Sequence, residues 1–218
     1  MIISPGRGYI FVHIPKTGGT SMALALEARA QPGDILIGDT PRAQARKNRL
    51  KTLTPAGRLW KHSTLADIDG ILTPDQIAAL FTFTLVRNPW DRMVSYYHWL
   101  QVQTFDHPAV QQARTLPFET FIQHPQTAAS FEKNPATRYM KDATGTLRAN
   151  HFIRLEHLHT DLAPLTDHLG FTPQIPHANP SKRAHDYRPF YTEQTAACVA
   201  RICAADIARF GYSFDKDH

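Results

Sequence analysis

The stretch His13-Ile14-Pro15-Lys16-Thr17-Gly18-Gly19-Thr20-Ser21 constrains this chain more than any other. A short apolar run, Tyr9 to Val12, precedes it, and an Ala/Leu-rich run from Met22 to Ala28 follows. The order reads as strand, tight glycine loop, helix. Gly18 and Gly19 permit backbone angles closed to other residues and let a ligand approach the main chain. The first amides of the helix point outward without intrahelical partners, at the positive end of the helix dipole. Lys16 adds a full charge beside them, and Thr20 and Ser21 add hydroxyl donors. Such a loop is a cradle for phosphate or sulfate. It is not a Walker A loop, in which lysine follows the glycines; here lysine stands two positions before them.

A chain of 218 residues is long enough for one α/β domain with a full core, and we expect a single domain over 1–218. A hydrophobic content of 42% with 20% charged residues describes a globular chain rather than a disordered one. The formal charge of +5 favours anionic partners. No long Lys/Arg block concentrates it, so a small anionic ligand is expected rather than nucleic acid. Cys198 and Cys203 read as packing residues of a reducing compartment. No apolar run is long enough for a transmembrane segment, and the start lacks a secretory pattern, so the expected location is cytoplasmic.

Along the chain, residues 8–14 read as the first strand and 21–30 as its helix. Residues 34–37 give a short second strand. The segment 41–61 is basic, with Arg42, Arg46, Lys47, Arg49, Lys51, Arg58 and Lys61. It reads either as a solvated loop with a short helix or as a wall for an anionic substrate. Thr73-Pro74 opens a helix, 80–86 is a buried strand, and a helix runs from about Trp90 to Gln101. Residues 104–116 read as a surface loop, Pro117 to Ile122 as a short helix, and 126–149 as an irregular wrap. Residues 151–156 give a third strand, and 161–169 a helix stopped by Gly170. A long polar loop spans 173–189, and one long helix spans 192–210. Strands alternating with helices predict a parallel sheet covered on both faces, with ligands at the carboxyl ends of the strands.

Arg87 stands at such a strand end, and Ser95 lies about two turns into the next helix. An arginine fork and a hydroxyl at that spacing can hold a second phosphate from two sides. The competing reading is that Arg87 pairs with Asp91 and Ser95 merely packs small.

Residues 15–21 resemble the 5′-phosphosulfate loop of sulfotransferases that use 3′-phosphoadenosine 5′-phosphosulfate (PAPS). Residues 86–97, Val-Arg-Asn-Pro-Trp-Asp-Arg-Met-Val-Ser-Tyr-Tyr, resemble that family's 3′-phosphate motif. Phe152 to Glu156, Pro176 to Ser181, Tyr191, Asp206-Ile207 and Phe210 to Tyr212 are similar to the carbohydrate and heparan-sulfate-type branch. The resemblance implies an α/β, P-loop-like three-layer fold with a mostly parallel central sheet flanked by helices. It implies sulfuryl transfer from PAPS, leaving 3′-phosphoadenosine 5′-phosphate (PAP), to an acceptor hydroxyl on a carbohydrate or glycoconjugate. Lys16, Thr17, Gly18, Gly19, Thr20 and Ser21 would hold the 5′-phosphosulfate. Arg87 and Ser95 would hold the 3′-phosphate, and Lys182 and Arg183 would close over the nucleotide.

Lys16 would also stabilise charge on the leaving phosphate. An acceptor hydroxyl needs a base, and His62 is the candidate. It lies between the two motifs, and its Lys-His-Ser-Thr context is similar to the base-bearing segment of the branch. Asp39 and Asp67 are the carboxylate alternatives, and His13 reads as structural. No residue cluster has metal-ligand spacing, so no metal is expected. Two other readings compete: a nucleotide-dependent kinase on a P-loop scaffold, and a non-catalytic basic module that binds polyanions.

Overall fold

The computed structural model describes residues 1–176 and 186–215. In chain order the elements are β1 (Ile2–Ser4), β2 (Tyr9–Val12), α1 (Gly19–Glu27), β3 (Ile35–Leu36), α2 (Pro41–Ala45), α3 (Pro74–Ala78), β4 (Phe81–Val86) and α4 (Pro89–Gln101). There follow α5 (Pro108–Thr115), α6 (Phe118–Gln123), α7 (Pro125–Glu132), α8 (Ala136–Tyr139), β5 (His151–Arg154), α9 (Leu158–Asp161), α10 (Ala163–Leu169), α11 (Glu193–Ile202) and α12 (Ala204–Phe210). Short 3₁₀ turns punctuate them. The chain groups into two compact units, one of 1–86 with 136–179 and one of 87–135 with 180–218.

The first unit holds the sheet, in strand order β3-β1-β2-β4-β5. β2, β4 and β5 pair in parallel, with Val12 opposite Thr84 and Val86 opposite Arg154. β1 runs antiparallel to both β2 and β3. Every strand but β1 therefore shares one direction, and the mostly parallel sheet is as expected. Because side chains alternate across a strand, the sheet feeds two cores. Ile2, Tyr9, Phe11, Phe83 and Leu85 meet Met22 and Leu26 of α1 and Leu165 of α10. Ile3, Ile10 and Val12 meet Leu65, Ile68, Ile77 and Met140 on the opposite face. Helices cover both faces, giving three layers. The carboxyl ends of β2 and β4 lie side by side, tied by the Thr84 hydroxyl, which donates to the Val12 carbonyl at 2.7 Å.

The second unit is helical. Trp90 donates its indole N–H to the Ala196 carbonyl at 2.9 Å, which fastens α4 to α11. Tyr191 donates its hydroxyl to the Trp90 carbonyl, and Tyr97 donates to the Leu116 carbonyl.

Several expectations are corrected. Residues 108–115 form a helix where a loop was expected, and residues 125–132 and 136–139 are helical within the expected irregular wrap. α5 and α7 both open on a His-Pro pair, whose imidazole Nδ1 accepts the amide two residues on: His107 caps Ala109 and His124 caps Gln126. The expected long helix over 192–210 is two, because Cys203 leaves helical geometry between α11 and α12. Ile2–Ser4 form β1, which lies between β3 and β2 in the sheet, where no strand was read.

Candidate active site

The glycine loop occupies the turn from β2 into α1. Lys16 takes a left-handed backbone conformation (φ 65°), which a lysine adopts at a cost, and Gly18 takes φ 83°. A Cβ on Gly18 would come within 2.8 Å of Leu155, so the position demands glycine on two counts. Gly18 stands at the N-cap of α1 and supplies no side-chain cap. The caps of α2, α3, α4 and α11, by contrast, are Thr40, Thr73, Asn88 and Thr192, each accepting a backbone N–H. The N-terminus of α1 differs from these four in having no side-chain cap. Thr20 and Ser21 are partly exposed in its first turn. Thr17 differs: its hydroxyl is buried and donates to the Ile14 carbonyl at 2.9 Å. It braces the turn and has only its amide to offer a ligand.

Beneath the loop lies His13, buried at the end of β2. A Cβ added to Gly19 would fall 2.1 Å from its ring, so Gly19 is required by contact with His13 rather than by its backbone angle. His13 in turn meets His62. Their ring centroids are 4.7 Å apart, edge to face, and His62 Nδ1 sits 2.7 Å from the His13 carbonyl oxygen. A carbonyl oxygen only accepts, so Nδ1 carries the proton and Nε2 keeps its lone pair. Burial pushes the His62 pKa down to about 4, opposed by the hydrogen bond to His13 and reinforced by nearby Lys61. His62 is neutral at pH 7 and can accept a proton through Nε2. Burial, and then the neighbouring His62, hold His13 well below the usual imidazole range.

The turn that carries His62 is built by Ser63. Its buried hydroxyl bridges the Arg58 and Trp60 carbonyls (2.9 and 2.8 Å) and accepts the Trp60 amide at 2.9 Å. The carboxylate alternatives are already engaged. Asp39 pairs with Lys61, and Asp67 accepts from both the amide and the hydroxyl of Thr64. Of the basic segment, Arg46 and Arg49 donate to the carbonyls of Gln31 and Pro32. Those two arginines hold the chain to itself rather than face a ligand.

In the second unit, Arg87 lies just before α4, with its Nε and Nη2 on Asp91 Oδ2 at 2.8 and 2.6 Å. Asn88 caps the helix from its side chain, accepting the amides of Trp90 and Asp91. Ser95 is buried one turn beyond Asp91. The four-residue spacing of Arg87, Asp91 and Ser95 aligns them on one side of the helix start. The Arg87–Asp91 pair, weighed from sequence against a phosphate role, is present, and the carboxylate orients the guanidinium. Lys182 and Arg183 lie outside the described residues. Among the described residues no three His, Cys, Asp or Glu side chains cluster as a metal site would require. No helix is long and apolar enough to cross a membrane.

The loop, His62, Arg87 and Ser95 were singled out from sequence. His13 reads as structural from sequence, without its contact to His62, 49 positions away. The bonds of the Ser63 hydroxyl to Trp60 and Arg58, three and five positions before it, were not foreseen.

A family model described as "Sulfotransferase family" matches residues 1–213. No curated protein matches the chain. Among solved structures, the crystal structure of mouse sulfotransferase SULT7A1 complexed with PAP is similar at 16% identity, over 92% of this chain and 66% of that one, with a TM-score of 0.38. The chain spans just under two thirds of that structure's length.

Proposed function

The chain belongs to the sulfotransferase family, and from that premise we propose that it transfers a sulfuryl group from PAPS to an acceptor hydroxyl on a carbohydrate or glycoconjugate. The observation that carries the reading is the contact of His13 with both Gly19 and His62. It ties a neutral imidazole, with Nε2 as proton acceptor, to the loop that fits an anion.

In this reading the amides at the start of α1, with Thr20 and Ser21, hold the 5′-phosphosulfate. Arg87 and Ser95 hold the 3′-phosphate, and Lys182 and Arg183 help retain the nucleotide. PAPS supplies an activated sulfuryl group whose leaving oxygen belongs to a phosphate. The acceptor oxygen bonds to sulfur as the sulfur–oxygen bond to that phosphate breaks. Lys16 meets the charge that builds on the departing oxygen. His62 Nε2 takes the acceptor's hydroxyl proton, a contribution of roughly 10²–10⁴-fold in rate. Cys198 and Cys203 are free thiols, which suits the cytoplasm as the compartment we propose.

Thermal melting tests the donor assignment, because a ligand that binds only the folded chain raises its stability. PAP is expected to raise Tm more than ATP with Mg²⁺ does, and Lys16→Ala to diminish the PAP shift. A larger shift with ATP would overturn the assignment and favour phosphoryl transfer.

A further inference from the structure

We propose that Tyr187 is a positioning residue for the 3′-phosphate, acting through Asn88 on Arg87. The inference rests on the sulfotransferase reading, in which Arg87 holds that phosphate. Asn88 follows Arg87 directly and is buried. Its side-chain oxygen accepts the amides of Trp90 and Asp91 at 3.0 and 3.4 Å. The Asp91 carboxylate in turn holds the Arg87 guanidinium at 2.6 Å. Asn88 is therefore coupled to Arg87 twice, through their shared peptide bond and through Asp91.

What keeps Asn88 in place comes from far along the chain. Its side-chain nitrogen donates to the Tyr187 hydroxyl at 3.1 Å, across 99 positions, and to the Ser213 carbonyl at 3.3 Å. A primary amide has one donor end and one acceptor end. Acceptors on its nitrogen side and helix amides on its oxygen side admit a single orientation. Turning the group over would set its N–H groups against the amides of Trp90 and Asp91. The Tyr187 hydroxyl accepts from Asn88 and donates its own proton to the Phe214 carbonyl at 2.7 Å. Burial raises the Tyr187 pKa above its ordinary value, so the phenol keeps that proton.

The Phe214 ring fixes the far end of this chain of bonds. It meets Trp90, Tyr187 and Tyr191 edge to face, with centroids 5.7, 5.7 and 5.5 Å apart. The ring of Tyr187 therefore packs, while its hydroxyl orients Asn88. Phenylalanine at 187 would keep the packing and leave a buried donor of Asn88 without that acceptor. A guanidinium fork must be aligned to meet a phosphate, so the seat of Asn88 enters the affinity for the 3′-phosphate.

The test is calorimetry with PAP and with adenosine 5′-monophosphate, which lacks the 3′-phosphate. It compares wild type, Tyr187→Phe, Arg87→Ala and the double variant. Tyr187→Phe is expected to weaken PAP about five- to tenfold and adenosine 5′-monophosphate by no more than about twofold. In the Arg87→Ala background the same change should add nothing to the PAP loss, because the two residues act as a unit. Phe214→Leu keeps the carbonyl and loosens its seat, and should weaken PAP about threefold with the same selectivity.

Equal losses of both nucleotides in Tyr187→Phe would overturn the inference, as would losses that add to those of Arg87→Ala. So would unchanged PAP affinity in Tyr187→Phe and Phe214→Leu, even with a lowered Tm, since Tyr187 would then serve the fold alone. In each of these cases an Arg87→Ala variant that still loses PAP selectively leaves the sulfotransferase reading standing. A wild type that does not bind PAP would refute that reading, and the role of Tyr187 with it.

Discussion

His62 Nδ1 and the His13 carbonyl oxygen stand 2.7 Å apart, and this one hydrogen bond fixes which nitrogen of His62 can work as a base. With Nδ1 committed as donor, Nε2 is the acceptor. Burial then keeps the ring neutral, with its pKa near 4.

The same depression makes stability depend on pH. An unfolded histidine titrates near 6.5. Between about 4 and 6.5 the unfolded chain holds a proton that folded His62 does not, so stability rises with pH across that window. The contribution is complete above about 6.5 and is lost as pH falls toward 4. From pH 7 to 5, urea denaturation should show wild type losing about 1–2 kcal/mol more than His62→Gln. Equal losses would place His62 in solvent.

Gly19 and His13 should behave as a coupled pair. Gly19→Ala drives a methyl into the His13 ring and should weaken PAP binding by roughly tenfold or more. His13→Ala opens the space, so the double variant should recover PAP affinity. Turnover should stay low in the double variant, because the ring that flanks His62 is gone. Calorimetry and steady-state kinetics on the four proteins of the cycle separate the two effects. Full recovery of turnover would reduce His13 to a spacer.

Arg87 is expected to read the 3′-phosphate. PAP and adenosine 5′-monophosphate differ only in that group. Arg87→Ala should lower PAP affinity by about 10–100-fold and leave adenosine 5′-monophosphate nearly unaffected. Asp91→Asn should weaken PAP binding less, since it loosens the Arg87 fork without removing it. Equal losses for both nucleotides would mean that Arg87 holds only the fold.

Ser63 anchors the turn that bears both Trp60 and His62. Removing a buried hydroxyl that serves two carbonyls and an amide should cost about 1–3 kcal/mol in chemical denaturation. Ser63→Ala should also lower turnover at saturating donor more than it changes PAP affinity. A variant that loses stability alone would detach the turn from catalysis.

The strands at 9–12, 81–86 and 151–154 were legible because apolar β-prone runs end in turn residues, and α4 because Asn88-Pro89 is a strong helix opening. The helices at 108–115 and 125–132 were not, because His is an uncommon cap and its partner proline reads equally as a loop breaker. The α11–α12 break was invisible: the apolar stripe Ala196, Val199, Cys203 and Ile207 continues across it, and Cys203 carries no helix-ending signal. In the site, the loop announced itself through residue types that are costly elsewhere. The contact of His13 with His62, 49 positions apart, arises from tertiary packing, which no local pattern encodes.

The central claim is that His62 takes the proton in a sulfuryl transfer from PAPS. Single-turnover transfer of radiolabelled sulfate at saturating donor tests it most directly, with His62→Ala compared against wild type. The account predicts transfer by wild type, a rate roughly 10²–10⁴-fold lower in His62→Ala, and PAP affinity unchanged between the two. Equal transfer rates in the two proteins would contradict it.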